Sequence, residues 1–359
     1  VTVGEVSYSI EDYDYGLPRE LIAQAPLADR AASRLLVLER RTRRIEHRRF
    51  RDLPDLLTPG DLLVVNRSRV LPARLLARRP GGGAAEVLLV RRRGPDSWTA
   101  MVRPGRRLRP GAVLAVAPGF QVRIEPADAP DAADAPTSSL GPTRLVRLLV
   151  ADGNAEAAIH RHGHVPLPPY IRRPDTPADR ERYQTVYASN PGSVAAPTAG
   201  LHFTEELLER VAARGIHRAE LVLHVGPGTF RPVEAADVRR HRVDAEAYEL
   251  PDEAAAAVTR ATSEGRRVIA VGTTTTRALE AAAARGPLRA HRGETDLVLY
   301  PGCPFRVVDA LLTNFHLPRS SLLLLVSAFA GREAVLAAYA EAVRERYRFY
   351  SYGDAMLIL

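Results

Sequence analysis

Lysine is missing from this 359-residue chain, so all 50 basic side chains are arginine. Against 42 acidic residues they leave a formal charge of +8. Part of the excess reflects a nucleotide-composition bias, since alanine and proline are abundant as well. What remains is either a solvated basic surface or a phosphate-binding one. Guanidinium forks contact phosphate bidentately and stack on bases, so the second reading points to an RNA partner. The candidate clusters are 40–44, 91–93, 103–109 and 172–173. Cysteine is nearly missing too. Cys303 stands alone, which excludes an internal disulfide and points to a reducing compartment. The apolar run 322–330 is far shorter than the roughly 20 residues of a membrane span. Residues 1–10 have neither the basic flank nor the apolar core of a signal peptide. These absences predict a cytoplasmic protein without a membrane partner. No internal repeat is visible.

What is present is ordinary for a soluble enzyme: 46% hydrophobic and 26% charged residues, over a length that accommodates two domains. Short strand patterns at 73–77, 85–90, 98–102, 113–115, 120–124 and 143–150 are punctuated by Gly and Pro, as in a small barrel. Residues 126–142 are rich in Ala, Asp, Pro and Ser and read as a disorder-prone insertion in a hairpin. From about residue 155 onward strands alternate with helices, which predicts an α/β layer structure.

Special residues gather in a few loops. Pro197-Thr198-Ala199-Gly200-Leu201-His202-Phe203-Thr204 runs into an amphipathic helix predicted over 205–214. His202 thus stands ahead of a helix N-terminus, poised to titrate near neutrality. Leu223-His224-Val225-Gly226-Pro227-Gly228-Thr229-Phe230 follows a strand-like run over 219–225. It is either a tight turn or a backbone that a nucleoside approaches closely. Gly272-Thr273-Thr274-Thr275-Thr276-Arg277 lies between the strand-like 267–271 and the helical 278–284. Its N–H groups and hydroxyls suit an anion, a carboxylate or a phosphate; the alternative is plain N-capping by Thr273 or Thr274. Glu280 on that helix reaches a cationic group or forms a surface salt bridge. Thr313-Asn314-Phe315-His316 precedes Pro318 and Arg319, with Asn314 able to read a purine edge or hold a ribose. Asp309 and Asp354, beside apolar strands, are either buried with a partner or functional. His160, His162 and His164 alternate in a strand-like manner but lack an acidic or cysteine partner, so no metal site is assigned. Tyr170, beside Arg172 and Arg173, either stacks on a base or caps the domain junction.

Together with Tyr15-Gly16-Leu17-Pro18-Arg19-Glu20-Leu21-Ile22-Ala23-Gln24, Ser33-Arg34-Leu35-Leu36-Val37-Leu38, Pro59-Gly60-Asp61-Leu62-Leu63-Val64-Val65-Asn66 and Ser351-Tyr352-Gly353-Asp354-Ala355-Met356, these blocks cover nearly the whole chain. In that order the chain resembles the S-adenosylmethionine:tRNA ribosyltransferase-isomerases of the queuosine pathway. The resemblance implies a discontinuous α/β domain (1–67 and 155–359) with an inserted small β-barrel domain (68–154). It implies that S-adenosylmethionine serves as a ribosyl donor rather than a methyl donor. The acceptor is 7-aminomethyl-7-deazaguanine at the tRNA wobble position, the product epoxyqueuosine, and adenine and methionine leave.

That chemistry needs a base for the proton beside the sulfonium, a deprotonated aminomethyl nucleophile and protonation of departing adenine. His202, His224 and His316 are the expected acid and base groups, with Asp309 orienting them or sharing the load. Thr198, Gly200, Gly226, Gly228, Thr229, Gly272, Thr273, Thr274, Arg277, Glu280 and Asn314 are the expected substrate contacts. Tyr170, Arg172, Arg173 and Arg319 are the expected RNA contacts. No metal or redox cofactor is required, and a monomer is expected. Two stretches depart from the family. Arg67 stands where an acid is usual, and Val243-Asp244 stands where Met-His is usual. Two alternatives therefore accompany the main reading: a relative acting on a free deazapurine or another small molecule, and a non-catalytic RNA-binding protein on the same scaffold.

Overall fold

The computed structural model describes residues 7–105, 108–126, 143–230 and 232–359. Most of the predicted insertion, and Arg106 and Arg107 of one arginine cluster, lie outside the described residues. A hairpin of β1 (Arg34–Leu38) and β2 (Ile45–Arg49) is followed by β3 (Leu62–Asn66) and the short β4 (Ser68–Val70). Six strands then close into an antiparallel barrel: β5 (Arg74–Arg78), β6 (Ala84–Arg92), β7 (Ser97–Arg103), β8 (Val113–Ala117), β9 (Phe120–Ile124) and β10 (Arg144–Val150). Their inward positions, Leu75, Val87, Trp98, Ala100, Phe120, Val122 and Val146 among them, fill one core. Alternate residues point outward, the period-2 pattern of a barrel wall.

After the barrel come β11 (Asn190–Ser193), β12 (His217–Leu223), β13 (Glu246–Leu250), β14 (Val268–Val271), β15 (His291–Thr295), β16 (Ala310–Asn314) and β17 (Ala355–Ile358). Short β11 pairs with β4 at the base of the barrel. The others join β1, β2 and β3 in a nine-stranded sheet, ordered β15, β13, β12, β3, β14, β16, β17, β1, β2. Its centre, β12–β3–β14–β16, is parallel. β3, β14 and β16 are buried along their whole length, because helices cover both faces. Helices Asp252–Ser263, Thr273–Ala283, Ser321–Ala330 and Arg332–Arg344 pack on one face, through Val258, Leu279, Leu324 and Tyr339. Helix Glu205–Ala213 and the 50–57 segment cover the other, through Leu207, Val211 and Phe50. Among the described residues no single helix is long and apolar enough to cross a membrane.

Two local expectations are corrected. His160 and His162 lie in the helix Ala155–His162, not on a strand; Asn154 caps it and Ala155, Ala158 and Ile159 bury its inner face. Neither Thr273 nor Thr274 caps the next site helix. Gly272 is the N-cap, with φ of 92°, a backbone angle that glycine adopts without strain. The threonines follow inside the helix, where Thr275 and Thr276 hydroxyls bond back to the carbonyls of Val271 and Gly272.

Candidate active site at the carboxyl rim of the sheet

Parallel strands bring their carboxyl ends to one rim, where open α/β sheets bind ligands. Here Asn66 ends β3, His224 follows β12, Gly272 follows β14, and Asn314 ends β16 just before His316. β17 runs antiparallel to β16, which returns Tyr350, Ser351 and Asp354 to the same rim. Loops far apart in sequence thus converge.

A small cavity of about 40 Å³ opens there, lined by Thr198, Thr273, Thr274, Asn314, His316 and Tyr350 among others. Thr273, Thr274 and Thr275 start a helix whose N-terminus has no side-chain cap. Asn314 donates through Nδ2 to His202 Nε2 at 3.2 Å and to the Tyr350 carbonyl at 3.2 Å. Its Oδ1 is buried without a partner, as is the Tyr350 hydroxyl. His316 is held by Thr313, whose hydroxyl lies 2.8 Å from Nε2. The Tyr170 ring stacks on Tyr350 at 4.3 Å, and its hydroxyl meets Ser351 Oγ at 2.5 Å.

A second cavity, about 360 Å³, adjoins the first at Val225 and Thr229 and separates the sheet from the barrel. The sheet side contributes His224, Gly226, Gly228, Thr229 and Arg277; the barrel contributes Val90, Trp98 and Thr99. The His224 ring packs against the backbone of Gly192, where a Cβ would lie 2.6 Å from its Cε1. Glu246 organises the loop. Its carboxylate accepts from the Gly226 N–H at 2.8 Å and the Thr229 hydroxyl at 2.7 Å, and pairs with buried Arg277. Val243 and Asp244, the departing positions, line this cavity.

His202 and His316 do not titrate near neutrality as the sequence suggested. Burial pushes His316 down to about 3, and burial with the nearby Arg30 and Arg348 pushes His202 to about 3 as well. His224 is also lowered by burial, with Glu249 opposing. All three are therefore neutral imidazoles in the resting protein.

The family described as "Queuosine biosynthesis protein" matches residues 10–358. The chain belongs to that family. It is 52% identical over 353 residues to the S-adenosylmethionine:tRNA ribosyltransferase-isomerase of Anaeromyxobacter sp. (strain Fw109-5), covering 97% of this chain and 98% of the relative. The enzyme of that name from Thermus thermophilus is 52% identical over 360 residues, covering 98% and 99%. The crystal structure of S-adenosylmethionine tRNA ribosyltransferase from Thermotoga maritima is 40% identical. It aligns with a TM-score of 0.55 over 97% of this chain and 100% of that one.

Within this queuosine-family chain, most residues singled out by sequence meet at the rim, but several do not. Thr198, Gly200 and His202 share the 3-10 helix Thr198–His202. Thr198 lines the small cavity, while His202 sits behind it, between Ser33 and Asn314, with its ring 4.9 Å from that of Phe50. Asp309 stands at the start of β16, roughly 16 Å of strand from Asn314, and accepts from the Val268 N–H. Glu280 forms no surface salt bridge: its buried carboxylate accepts from the N–H groups of Arg306, Val307 and Val308. Arg173 is committed to Asp179 and Arg319 to Asp14, whereas Arg172 is exposed. Other clustered arginines are likewise occupied, Arg44 by Glu46 and Arg91 by Glu294. Among the described residues no group of three or more His, Cys, Asp or Glu could hold a metal.

Sequence reasoning missed four contributors. Nothing local in sequence marks Glu246 or Tyr350 as a site residue, and Ser33 lies 169 positions from the histidine it bonds. Trp98 opens one of the predicted strands and belongs to the barrel core, and the strand pattern alone does not mark it as a cavity wall.

Proposed function

We propose that this chain transfers and isomerises the ribosyl portion of S-adenosylmethionine onto 7-aminomethyl-7-deazaguanine at the tRNA wobble position. Epoxyqueuosine-tRNA forms, and adenine and methionine are released. The observation that carries this reading is the full-length similarity, at about half identity, to proteins named S-adenosylmethionine:tRNA ribosyltransferase-isomerase. The two adjoining cavities support it, since a nucleoside bearing an amino-acid arm needs one large compartment and one small polar one. Residues 68–154 act as the inserted barrel domain, its wall closing the larger cavity. The protein works as a cytoplasmic monomer and needs no metal.

His224 and His316 stand in the cavities, and each is neutral, the form that accepts a proton. The sulfonium acidifies the neighbouring 5′ C–H, and one imidazole takes that proton. Burial makes the imidazolium a poor resting place, so the proton passes on, and departing adenine is the group that gains from it. His202 acts indirectly, through Asn314. Exposed Arg172 contributes to binding the RNA backbone, where each phosphate contact makes affinity more salt-dependent. Asp244 in the cavity wall favours the second reading, a free deazapurine acceptor, because it alters a surface that faces substrate.

The deciding assay follows adenine and methionine release from S-adenosylmethionine, with and without tRNA carrying the modified base. Release that requires this tRNA is the expected result. Release with the free base alone transfers the assignment to the second reading, and no release under either condition overturns both.

A further inference from the structure

Three kinds of unpaired polar group surround the small cavity. Asn314 is 2% exposed and its Oδ1 has no partner; Tyr350 is 5% exposed and its hydroxyl has none. The third is the uncapped N-terminus of the 11-residue helix at Thr273 and Thr274. The orientation of the amide follows from its neighbours. Ser33 Oγ donates to the Arg30 carbonyl at 3.1 Å, so its oxygen accepts from His202 Nδ1–H at 2.9 Å. Nε2 is then a lone pair, and Asn314 Nδ2 donates to it and to the carbonyls of Tyr350 and Asp354. Turning the amide over would press its oxygen against three acceptors. Asn314, a residue lining the cavity, is thus left with a buried acceptor, Oδ1, that no group in the protein satisfies.

An unsatisfied acceptor and hydroxyl on two lining residues, with bare helix N–H groups on two others, complement a zwitterion. An ammonium brings three donors, and a carboxylate suits a helix N-terminus. About 40 Å³ is room for a few water-sized groups and not for a nucleoside. We propose that this cavity clamps the α-amino-acid end of S-adenosylmethionine: carboxylate on the Thr273 and Thr274 N–H groups, ammonium on Asn314 Oδ1 and the Tyr350 hydroxyl, with His202 and Ser33 as positioning residues. This rests on the reading that S-adenosylmethionine is the substrate, and it puts the sulfonium and adenosine in the larger cavity.

The test compares two ligands by titration calorimetry on the full chain, with tRNA carrying ordinary guanine at the wobble position so that nothing turns over. One ligand is S-adenosylmethionine; the other is methylthioadenosine, which lacks the amino-acid end. Tyr350→Phe removes a hydroxyl that bonds nothing in the protein, so folding is not at stake. It should weaken S-adenosylmethionine roughly tenfold and leave methylthioadenosine within about twofold. Asn314→Ala should do at least as much, and His202→Ala should lower the same affinity ratio, which a purely structural role would not move. Equal weakening of both ligands, or no change in Tyr350→Phe, overturns the clamp. If the unmodified chain binds neither ligand, the substrate reading itself falls and the clamp with it.

Discussion

The two rims of the central sheet are built on opposite terms. At the amino rim charged groups are paired: Asp61 holds Arg267 at 2.9 Å and the Thr58 N–H at 2.7 Å, and Asp309 holds the Val268 N–H at 2.9 Å. At the carboxyl rim Asn314 Oδ1, the Tyr350 hydroxyl and His224 Nδ1 are buried with no partner. Each such unpaired group costs about 1–3 kcal/mol relative to a satisfied one. One rim therefore closes the fold, while the other carries unsatisfied polarity that a ligand can satisfy.

The largest break in that contrast comes from a carboxyl-rim pair that is satisfied. Glu246 and Arg277 are both buried, and Arg277 also donates to the Leu297 carbonyl at 2.9 Å. Arg277→Met leaves a buried carboxylate with only the Gly226 N–H and the Thr229 hydroxyl. Loss of one partner from a buried pair costs about 3–5 kcal/mol, so the urea midpoint should fall and turnover should collapse as the 226–229 loop loosens. Glu246→Gln keeps an acceptor for Gly226 and Thr229 and should cost less. Equal midpoints for Arg277→Met and the unmodified chain would show that the pair holds nothing in place.

A smaller effect separates the rims by pH. His202 and His316 have folded pKa values near 3, against an ordinary value of about 6.5 when unfolded. Above pH 6.5 neither state binds the protons, and this contribution to stability is intact. As pH falls below 6.5 the unfolded chain takes up protons that the folded chain refuses, so stability drops, by about 1.4 kcal/mol per pH unit for each histidine. The slope of unfolding free energy between pH 6 and 4.5 should lose about that much in His202→Gln. An unchanged slope would mean that His202 is protonated in the fold, and the hydrogen-bond order through Ser33 and Asn314 would then be reversed.

How much of this was legible in the sequence depends on how local the signal is. The barrel strands were readable because Gly and Pro punctuate each one, and predicted and observed ranges differ by few residues. The order of the sheet was not: β1 pairs with β17, matching Leu38 to Ile358 across most of the chain. His202 was misread for the same reason. Its neighbours in sequence are a helix start, but Phe50, Ser33 and Asn314 bury it, and burial decides its charge. The site loops were found by composition; what each loop faces was decided by contacts between distant segments. Asp309 shows the limit most clearly, since the sequence grouped it with the site histidines and the strand carries it to the other rim.

The mildest substitution tests that last separation. Asp309 is exposed, and its carboxylate accepts the Val268 N–H from the neighbouring strand. Asp309→Asn keeps an oxygen for that bond and removes a charge far from both cavities. Stability should change by less than about 1 kcal/mol, as surface substitutions generally do. Adenine release should stay within about twofold, because no reacting group at the opposite rim feels a screened charge roughly 16 Å away. The same change made at the carboxyl rim, Asn314→Asp, puts a charge where a neutral amide now donates to His202, and both stability and turnover should respond. A loss of more than tenfold in Asp309→Asn, at unchanged stability, would bring the amino rim into the chemistry and undo the division of labour between the two.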